Sequence, residues 1–349
     1  MAEIIEEDAA RVCGAVDLAP LDGGSVLLTG ASGLLGLHLL AALRQRGRQT
    51  GRPIHVTAIA RSTPPAAFAN FFDDLNIRLQ AMDLADSDAI RALPQHDHII
   101  HAAGYGQPHR FLSDPINTIR LNTVATLALL EKLPATGKFL FMSSSEIYSG
   151  APSPHTEADI GTTDPGHVRA CYIEGKRCGE TICRGFRAQG RAVKAARLAL
   201  AYGPGTRIDD QRVLNTLIRR ALLERRVTLL DQGQARRTYG YVTDIVEMLF
   251  SILLYGREPV YNVGGRSATT IAELARTIAD VAGVPMTAPA QDRALPGAPG
   301  DVALDLSLVC GEFGKRDFVP LREGLERTMA AYRALCGDGA GDRLEREAS

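Results

Sequence analysis

The sequence predicts an α/β protein built on a doubly wound parallel sheet, with a smaller C-terminal lobe interleaved with it. Three observations lead to this prediction. Short, apolar, β-rich segments alternate with segments of helical period through much of the chain. A glycine-rich turn, GASGLLG, joins the first strand to the first long helix. After Tyr202 the alternation stops, and the later elements do not continue a simple strand–helix repeat.

Composition and charge limit the class of protein. The chain has 349 residues, 45% of them hydrophobic, and a formal net charge of -1. This length is enough for a sizeable core, and the balanced charge disfavours a nucleic-acid-binding protein. No apolar run reaches the ~20 residues that a membrane span needs. Six cysteines without a Cys-x-x-Cys pair indicate a reducing cytoplasm, with no structural disulfide and no metal site.

The predicted elements follow one another along the chain. Residues 1–24 form a short helix and a linker, and their acidic start, MAEIIEEDAARV, is unlike a secretory signal. The helix after the first strand is expected to end at Gly47, because glycine often follows the last helical turn. The six predicted strands span 25–29, 54–60, 77–84, 98–104, 138–144 and 192–200. The later predicted helices span 116–133, 172–189 and 212–226.

The turn after the first strand predicts a dinucleotide site. Its three glycines have the spacing Gly-x-x-Gly-x-x-Gly, and they allow the backbone to approach a pyrophosphate at the N-terminus of a helix. Small residues in HAAG and the pair in MDL follow later strands and are expected to flank the same ligand. The fold is therefore expected to be Rossmann-type. The expected cofactor residues are Gly30, Ser32, Gly33, Leu34, Gly36, Arg61, Asp83, Leu84, Ala102, Ala103 and Gly104.

These signals divide the chain into regions. The dinucleotide-binding domain is expected to take residues 25–200 and part of 240–264. The substrate-binding lobe is expected to take 201–239 and 265–335, including the Pro/Gly-rich segment 288–301, and residues 336–349 to form a flexible tail. A ligand is expected in the cleft between the lobes, at the carboxyl ends of the strands.

The end of the second strand, AIARST, bears on the choice of cofactor. NAD sites often have an acid there, which binds the ribose hydroxyls. In this chain Ala60 stands at that place and Arg61 follows. Because Arg61 could pair with a 2′-phosphate, the sequence favours NADP over NAD. The alternative is that Arg61 stacks on the adenine or faces water.

The segment RACYIEGKRCGET places Tyr172 and Lys176 one turn apart on a predicted helix. A phenol has a pKa near ~10, and nearby cations must lower it before the group can act as a base at neutral pH. Lys176 is one such cation, and an oxidised nicotinamide is a second. The alternative is a half-buried tyrosine beside a solvated lysine.

The ordered motifs resemble the extended short-chain dehydrogenase/reductases of the NAD-dependent epimerase/dehydratase family, which act on nucleotide sugars. The motifs are TGASGLLG, MDL, HAAG, Asn122, SSSEIY, YIEGK, YGPG, RRTYGYVTD and YNVGG, over roughly residues 24–335. MSSSEIY and RACYIEGKRCGET are most similar to UDP-glucuronate decarboxylases. The resemblance implies transient oxidation of the sugar, commonly at C4, with bound NAD(P) and a UDP- or dTDP-sugar as substrate.

The resemblance also implies roles for individual residues. Tyr172 would be the base, Lys176 its electrostatic partner and ribose clamp, and Ser144 a hydrogen-bond partner of the reacting hydroxyl. Asn122 would lie at the cofactor. Dehydratases of the family carry Asp-Glu where this chain has Ser145 and Glu146. The chain therefore keeps a candidate C5 base, Glu146, and lacks the usual acid; a purely structural role in the substrate loop is the alternative.

Substrate contacts follow from the same resemblance. Ser145, Arg212 and Arg237 would bind the substrate, since guanidinium groups suit a diphosphate. Two departures stand against this pattern. Leu200 occupies a place where the family often has asparagine, and the decarboxylases carry Arg-x-Pro where this chain has LPGAPGD. The missing arginine makes C5 epimerisation or elimination the first expectation and decarboxylation the second.

The sequence also bears on the partners of the protein and on alternative functions. The helices at 116–133 and 172–189 are expected to pair in a homodimer, with no nucleic-acid or membrane partner. One alternative from another class is a non-catalytic dinucleotide-binding sensor, and another is a simple ketoreductase. Sensors on this fold often lose the tyrosine or the lysine, and this chain keeps both Tyr172 and Lys176.

Overall fold

The structure, a computed structural model, describes residues 1–207, 209–289 and 302–336. The strands are β1 Ser25–Thr29, β2 His55–Ala60, β3 Ile77–Ala81, β4 His98–His101, β5 Lys138–Ser144, β6 Ala192–Leu198, β7 Leu200–Tyr202, β8 Val227–Thr228, β9 Arg236–Tyr241, β10 Val260–Val263, β11 Ser267–Thr270 and β12 Met286–Thr287. The helices are α1 Ala2–Ala15, α2 Leu34–Thr50, α3 Ala69–Phe72, α4 Ser87–Arg91, α5 Pro108–Ser113, α6 Pro115–Asn122, α7 Val124–Lys132, α8 Ala170–Ala188, α9 Val213–Arg219, α10 Val242–Tyr255, α11 Ile271–Ala282, α12 Ser307–Phe313 and α13 Leu321–Cys336.

Seven strands form one parallel sheet, in the order β10-β6-β5-β4-β1-β2-β3. The strand order reverses between β1 and β4, and the carboxyl ends of the strands at such a point form the usual ligand crevice. The predicted doubly wound sheet is therefore confirmed. The six predicted strands are β1 to β6, and β10, from the later part of the chain, extends the sheet beyond β6.

Alternate residues of the central strands enter two cores, one on each face of the sheet. Val26 and Leu28 of β1 belong to one core, and Leu27 belongs to the other together with Ile59 and Ile99. This alternation is what a sheet covered by helices on both faces requires. The sheet is thus fixed on both sides, and it holds the ends of its strands in place.

The N-terminal helix α1 packs into the first of these cores. Ile5 is fully buried there, and Val12 is 3% exposed. The Tyr241 hydroxyl donates a hydrogen bond to the buried Asp8 carboxylate at 2.9 Å, and Arg327 also contacts this carboxylate. Residues 1–24 therefore contribute to the core as well as forming the expected helix and linker.

A smaller set of elements follows β6. A three-stranded sheet has the order β11-β9-β7, and β12 pairs with β8 in a two-stranded sheet. Helices α9, α11 and α13 pack with these strands, while α10 and β10 return to the main sheet. In the part of the chain that the structure describes, no helix combines the length and the apolar character of a membrane span.

Several predicted boundaries were wrong, for local reasons. Helix α2 continues past Gly47 and ends at Thr50. The next residue, Gly51, has a φ of 67°, the left-handed conformation that often follows the last helical turn. The predicted helix at 116–133 is broken at Thr123, where side-chain hydrogen bonds to preceding carbonyls compete with the helix. The predicted helix at 212–226 ends as α9 at Arg219 and continues as a wider turn to Glu224.

Two predicted features lie outside the described residues. They are most of the Pro/Gly-rich segment, including LPGAPGD, and nearly all of the expected C-terminal tail.

Candidate active site

A cleft of about 370 Å³ opens at the carboxyl ends of the parallel strands. It reaches from the glycine turn after β1, across the ends of β4 and β5, to the segment before α9. Most of the predicted site residues line it. They are Gly30, Ser32, Gly33, Leu34, Gly36, Arg61, Asp83, Leu84, Ala102, Ala103, Gly104, Ser144, Ser145, Glu146, Tyr172, Lys176 and Arg212.

The glycine turn is packed so closely that side chains do not fit. Gly30 has φ 70°, and a Cβ there would lie 2.6 Å from the Ala102 carbonyl oxygen. A Cβ at Gly36 would collide with the Gly30 carbonyl. The first turn of α2 thus lies directly on the loop, with its N-terminus at the cleft. This is the cradle that a pyrophosphate needs, so the residues present fit a dinucleotide.

The backbone at the end of β4 is fixed by a buried hydrogen-bond chain. The Ala103 N–H donates to Thr29 Oγ1 at 3.1 Å, and this hydroxyl bonds to His101 Nδ1 at 2.8 Å. His101 Nε2 lies 3.0 Å from the Leu121 carbonyl oxygen. Burial lowers the pKa of His101 to about 4, so the ring is neutral and Nε2–H donates. His101 therefore acts in local hydrogen bonding.

Arg61 lies at the far end of the cleft. Its Nη1 donates to the Tyr105 hydroxyl at 2.8 Å, and its guanidinium lies 5.4 Å from the centre of the Tyr105 ring. The Tyr105 hydroxyl in turn donates to Asp114 at 3.1 Å. Arg61 is thus held at the cleft mouth by a tyrosine that the sequence did not single out.

Tyr172 and Lys176 lie on the buried face of α8. Tyr172 stacks on Phe111, with ring centres 4.7 Å apart and an interplanar angle of 13°. Lys176 donates to the Met142 carbonyl oxygen at 2.6 Å, and its Nζ is 5.7 Å from the centre of the Tyr172 ring. The two side chains are 8% and 5% exposed, so the solvated lysine of the alternative interpretation is excluded.

In the ligand-free protein, burial shifts the pKa values of Tyr172 and Lys176 away from their ordinary values. Burial raises the pKa of Tyr172 to about 12; the charge of Glu146 adds to the rise, while a hydrogen bond with Ser144 and the charges of Arg169 and Arg212 oppose it. Burial lowers the pKa of Lys176 to about 7. Lys176 alone therefore does not bring the pKa of the phenol to neutral pH, and the contribution expected from an oxidised nicotinamide stays a prediction.

Asn122 lies beneath the cleft and does not line it. Its side-chain N–H donates to the Thr118 carbonyl at 2.7 Å, and its Oδ1 is buried with no partner among the described residues. A Cβ at Gly104 would lie 3.8 Å from this oxygen and 3.5 Å from Lys176 Nζ. Asn122 therefore lies close to Lys176 and to Gly104, whose backbone is expected to line the cofactor site.

Glu146 follows β5 in a short 3₁₀ turn and does not stand alone. Arg169 Nε donates to its Oε2 at 2.9 Å, and Arg169 Nη2 donates to its Oε1. Arg169 is the first residue of the segment RACYIEGKRCGET, and sequence reasoning missed its role. Its position three residues before Tyr172, at the start of the same helix, was the available signal.

A second ion pair, between Arg197 and Glu180, is buried among the elements next to the turn that contains Glu146. Arg197 of β6 contacts the Glu180 carboxylate at 2.9 Å, and the Ser143 hydroxyl donates to this carboxylate at 2.5 Å. Arg197 also donates to the Tyr148 hydroxyl at 2.7 Å. These contacts tie β5, β6 and α8 together beside Ser144, and sequence reasoning missed them because the partners are far apart in the chain.

The two predicted substrate arginines are placed differently. Arg212 lines the cleft and forms a bidentate ion pair with Asp210, at 2.6 Å for the shortest contact. Arg237 lies on β9, paired with Thr269 of β11, and does not line the cleft. Its role in substrate binding stays a prediction. Leu200 lines the cleft, so the departure from asparagine falls within the site.

Two further arginines line the cleft near Arg212. Arg110 and Arg207 both contact Asp209, at 3.3 Å and 3.0 Å. In the described ranges, no group of three or more histidine, cysteine or acidic side chains is arranged to hold a metal ion.

The parallel sheet, the glycine cradle and the buried Tyr-x-x-x-Lys pair define a Rossmann-type protein of the extended short-chain dehydrogenase/reductase class. The profile of the NAD dependent epimerase/dehydratase family matches residues 26–264, and the chain belongs to this family.

Relatives agree with this assignment. The chain is 30% identical over 331 residues to UDP-glucuronic acid decarboxylase 1 of Xenopus tropicalis, covering 90% of this chain and 74% of that protein. It is similar in structure to the epimerase Mth375 of Methanothermobacter thermautotrophicus, with a TM-score of 0.78 and 20% identity over 98% of this chain and 97% of the other. It also resembles MoeE5 in complex with UDP-glucuronic acid and NAD, with a TM-score of 0.72 and 25% identity over 89% of this chain and 100% of the other.

Proposed function

We propose that this protein modifies the sugar of a nucleotide-diphosphate sugar, by transient oxidation with a bound nicotinamide dinucleotide. The observation that carries the proposal is one continuous cleft that joins the glycine cradle to Tyr172 and Lys176. The family and its relatives support the reaction class. UDP- and dTDP-sugars are the substrates that we favour.

The cofactor would lie against the glycine turn and the Ala102–Gly104 backbone. It would supply a hydride acceptor and a positive charge when oxidised. Lys176 would bind its ribose, and the unpartnered Asn122 Oδ1, which lies next to Lys176 outside the cleft lining, would support that end of the site. Arg61 still favours NADP, although Tyr105 already occupies one of its donors. Calorimetry with NAD and NADP tests this choice, and equal affinities would remove the role given to Arg61.

Three residues of the chain would handle the proton of the reacting sugar hydroxyl. Tyr172 takes it, Ser144 hydrogen-bonds to the phenol and the substrate, and Lys176 holds the phenolate. In the ligand-free protein the phenol is held protonated by burial. A base at neutral pH therefore requires an additional positive charge beside Tyr172, which ties proton removal to cofactor binding.

The fate of the oxidised sugar depends on Glu146. An unpaired carboxylate would suit removal of the C5 proton, as in epimerisation or elimination. Here both Glu146 oxygens are bound by Arg169. This contact favours loss of carbon dioxide from a 4-keto uronic acid, which needs no C5 base. Decarboxylation of a UDP-linked hexuronate is thus our first proposal and C5 epimerisation or elimination the second.

One experiment separates these outcomes. The protein is incubated with UDP-glucuronate and a panel of UDP-, dTDP-, GDP- and CDP-sugars in deuterated water, and the products are analysed by mass and NMR. Loss of carbon dioxide identifies a decarboxylase, loss of water a dehydratase, and a gain of one deuterium without other change an epimerase. Net consumption of NADPH would identify a ketoreductase. No turnover of any sugar, with cofactor bound, would support the sensor alternative.

We also propose a homodimer formed by α6, α7 and α8. The side chains of Ile116, Ile119, Val124 and Leu127 on α6 and α7 are 59, 41, 45 and 42% exposed. Such a row of exposed apolar side chains is typical of a buried interface. A monomer mass in light scattering at micromolar concentration would refute the dimer. The expected cytoplasmic location stays a prediction.

A further inference from the structure

Arg169 and Glu146 form an ion pair beside the cleft. It is bidentate, and the two side chains are 15% and 26% exposed. A planar guanidinium that binds both oxygens of a carboxylate fixes its orientation as well as its charge. The pair joins the turn after β5 to the start of α8 and so connects two elements that carry proposed catalytic groups.

The same guanidinium also contacts the aromatic stack on the proposed base. Arg169 lies 5.2 Å from the centre of the Phe111 ring, and Phe111 stacks on Tyr172. Phe111 therefore contacts both the guanidinium and the phenol ring. Arg169 binds Glu146 through hydrogen bonds and Phe111 through a cation–π contact.

Arg169 is also the N-cap residue of α8, and the first turn of this helix contains no acid. A cation at a helix N-terminus is disfavoured by the helix dipole unless an anion neutralises it. Glu146 supplies this anion from another element. The arrangement could therefore be purely structural, and a test must distinguish that role from an effect on the reacting groups.

We propose that Arg169 is the positioning residue of this active site. It holds the Glu146 carboxylate by both oxygens and, through Phe111, holds the ring of Tyr172. The carboxylate of Glu146 and the phenol of Tyr172 therefore keep a fixed distance and orientation. Arg169 does not line the cleft and acts only through these two contacts. The inference rests on the proposed function, because it takes Tyr172 as the base. It applies both to decarboxylation, in which the cleft-lining Glu146 stays paired, and to the second proposal, in which Glu146 removes a C5 proton.

The pair also sets the charge beside the phenol. The groups that face Tyr172 are Ser144 from β5, Glu146 from the turn, Arg212 from the segment before α9, and Arg169 and Lys176 from its own helix. Glu146 raises the pKa of Tyr172 and Arg169 lowers it. Loss of Arg169 should therefore raise this pKa, and loss of Glu146 should lower it.

The test measures hydride transfer in single turnovers with UDP-glucuronate as a function of pH, on protein loaded with whichever of NAD and NADP binds more tightly in calorimetry. Relative to wild type, the pH of half-maximal rate should rise by about one unit in Arg169→Met and fall in Glu146→Gln. In the double variant the pH of half-maximal rate should return toward the wild-type value, because the two single shifts have opposite signs. Arg169→Lys keeps the positive charge but cannot donate to both Glu146 oxygens as the guanidinium does. This variant should have the pH profile of wild type and a lower rate.

Arg177→Met is the matched control. Arg177 lies on the same helix and donates to the Ile147 carbonyl of the same turn at 3.1 Å, but its ion pair is with Glu174. Its loss should loosen the turn without shifting the pH profile. A shift equal to that of Arg169→Met would show that the turn alone is responsible and would overturn the inference, as would an unshifted profile in Arg169→Met.

A second readout does not depend on turnover. The phenolate absorbance of Tyr172 is titrated in protein loaded with the same cofactor, as the difference between each variant and its Tyr172→Phe counterpart. The order Glu146→Gln, wild type, Arg169→Met in rising pKa supports the inference, and equal values refute it. If wild type does not oxidise any sugar of the panel while these pKa values shift as expected, the proposed function fails and the positioning role of Arg169 stands.

Discussion

The two halves of the cleft are built by different means. In the half proposed for the cofactor, the shape is set by backbone: Gly30 and Gly36 leave no room for a Cβ, and the Thr29–His101 chain holds the next loop. In the half proposed for the substrate, side chains from distant segments meet in ion pairs. Glu146 binds Arg169 and Asp210 binds Arg212.

This difference predicts different responses to change. A backbone cradle has one shape, so an added methyl group should weaken binding there by a large factor. An arginine that is paired internally can exchange its partner for an anionic ligand, and a substitution should change affinity in a graded way. Asp209, which contacts both Arg110 and Arg207, extends the ion-paired half along the cleft.

The largest effect is expected where the two halves meet. Tyr172→Phe removes the proton acceptor and almost no volume, so turnover should fall about 10²–10⁴-fold or more. Cofactor affinity should be unchanged in calorimetry, because the ring and its stacking on Phe111 remain. Turnover close to wild type would refute the role of Tyr172.

The cradle is tested by Gly36→Ala. The new Cβ would collide with the Gly30 carbonyl, so cofactor affinity should fall by at least ~10-fold, equivalent to about 1.4 kcal/mol. Gly185→Ala is the control, because no atom lies within 4 Å of a Cβ at that helical position. Equal cofactor affinity in the two variants would show that the turn does not hold the dinucleotide.

The ion-paired half is tested by Arg212→Met. Loss of charge-assisted hydrogen bonds to a diphosphate should raise KM by roughly 10- to 100-fold. The substitution leaves Asp210 buried without this partner, so the double variant with Asp210→Asn serves as a control for folding. Arg237→Met should have a smaller effect, since Arg237 does not line the cleft. The opposite order would assign the diphosphate to Arg237.

The smallest effect concerns stability. Burial lowers the pKa of Lys176 to about 7 from an ordinary value of 10.5, so between these values the unfolded chain binds more protons than the folded one. Stability from this group therefore rises with pH across that window. Lys176→Met should be more stable than wild type at pH ~7, by on the order of 1–3 kcal/mol, and the difference should shrink toward pH ~9. Thermal unfolding of cofactor-free protein at both pH values measures it, and a constant difference would contradict the buried charge.

Patterns in the sequence were enough to predict the parallel sheet, the glycine turn and the Tyr172–Lys176 pair. Each depends on a short-range signal: an apolar run, the spacing of Gly30, Gly33 and Gly36, or one helical turn between two side chains. Such signals are read within a few residues, and the fold carries them to the same end of the sheet because the carboxyl ends of parallel strands coincide.

The partners of these groups could be identified only from the folded protein. Arg169 binds Glu146, Phe111 covers Tyr172, and Arg197 binds Glu180 across elements that are distant in the chain. Ion pairs and ring stacks of this kind have no spacing in the sequence, because they form wherever packing brings two segments together. The state of Glu146, and so the choice between the proposed reactions, was therefore set by packing and not by the motif that contains it.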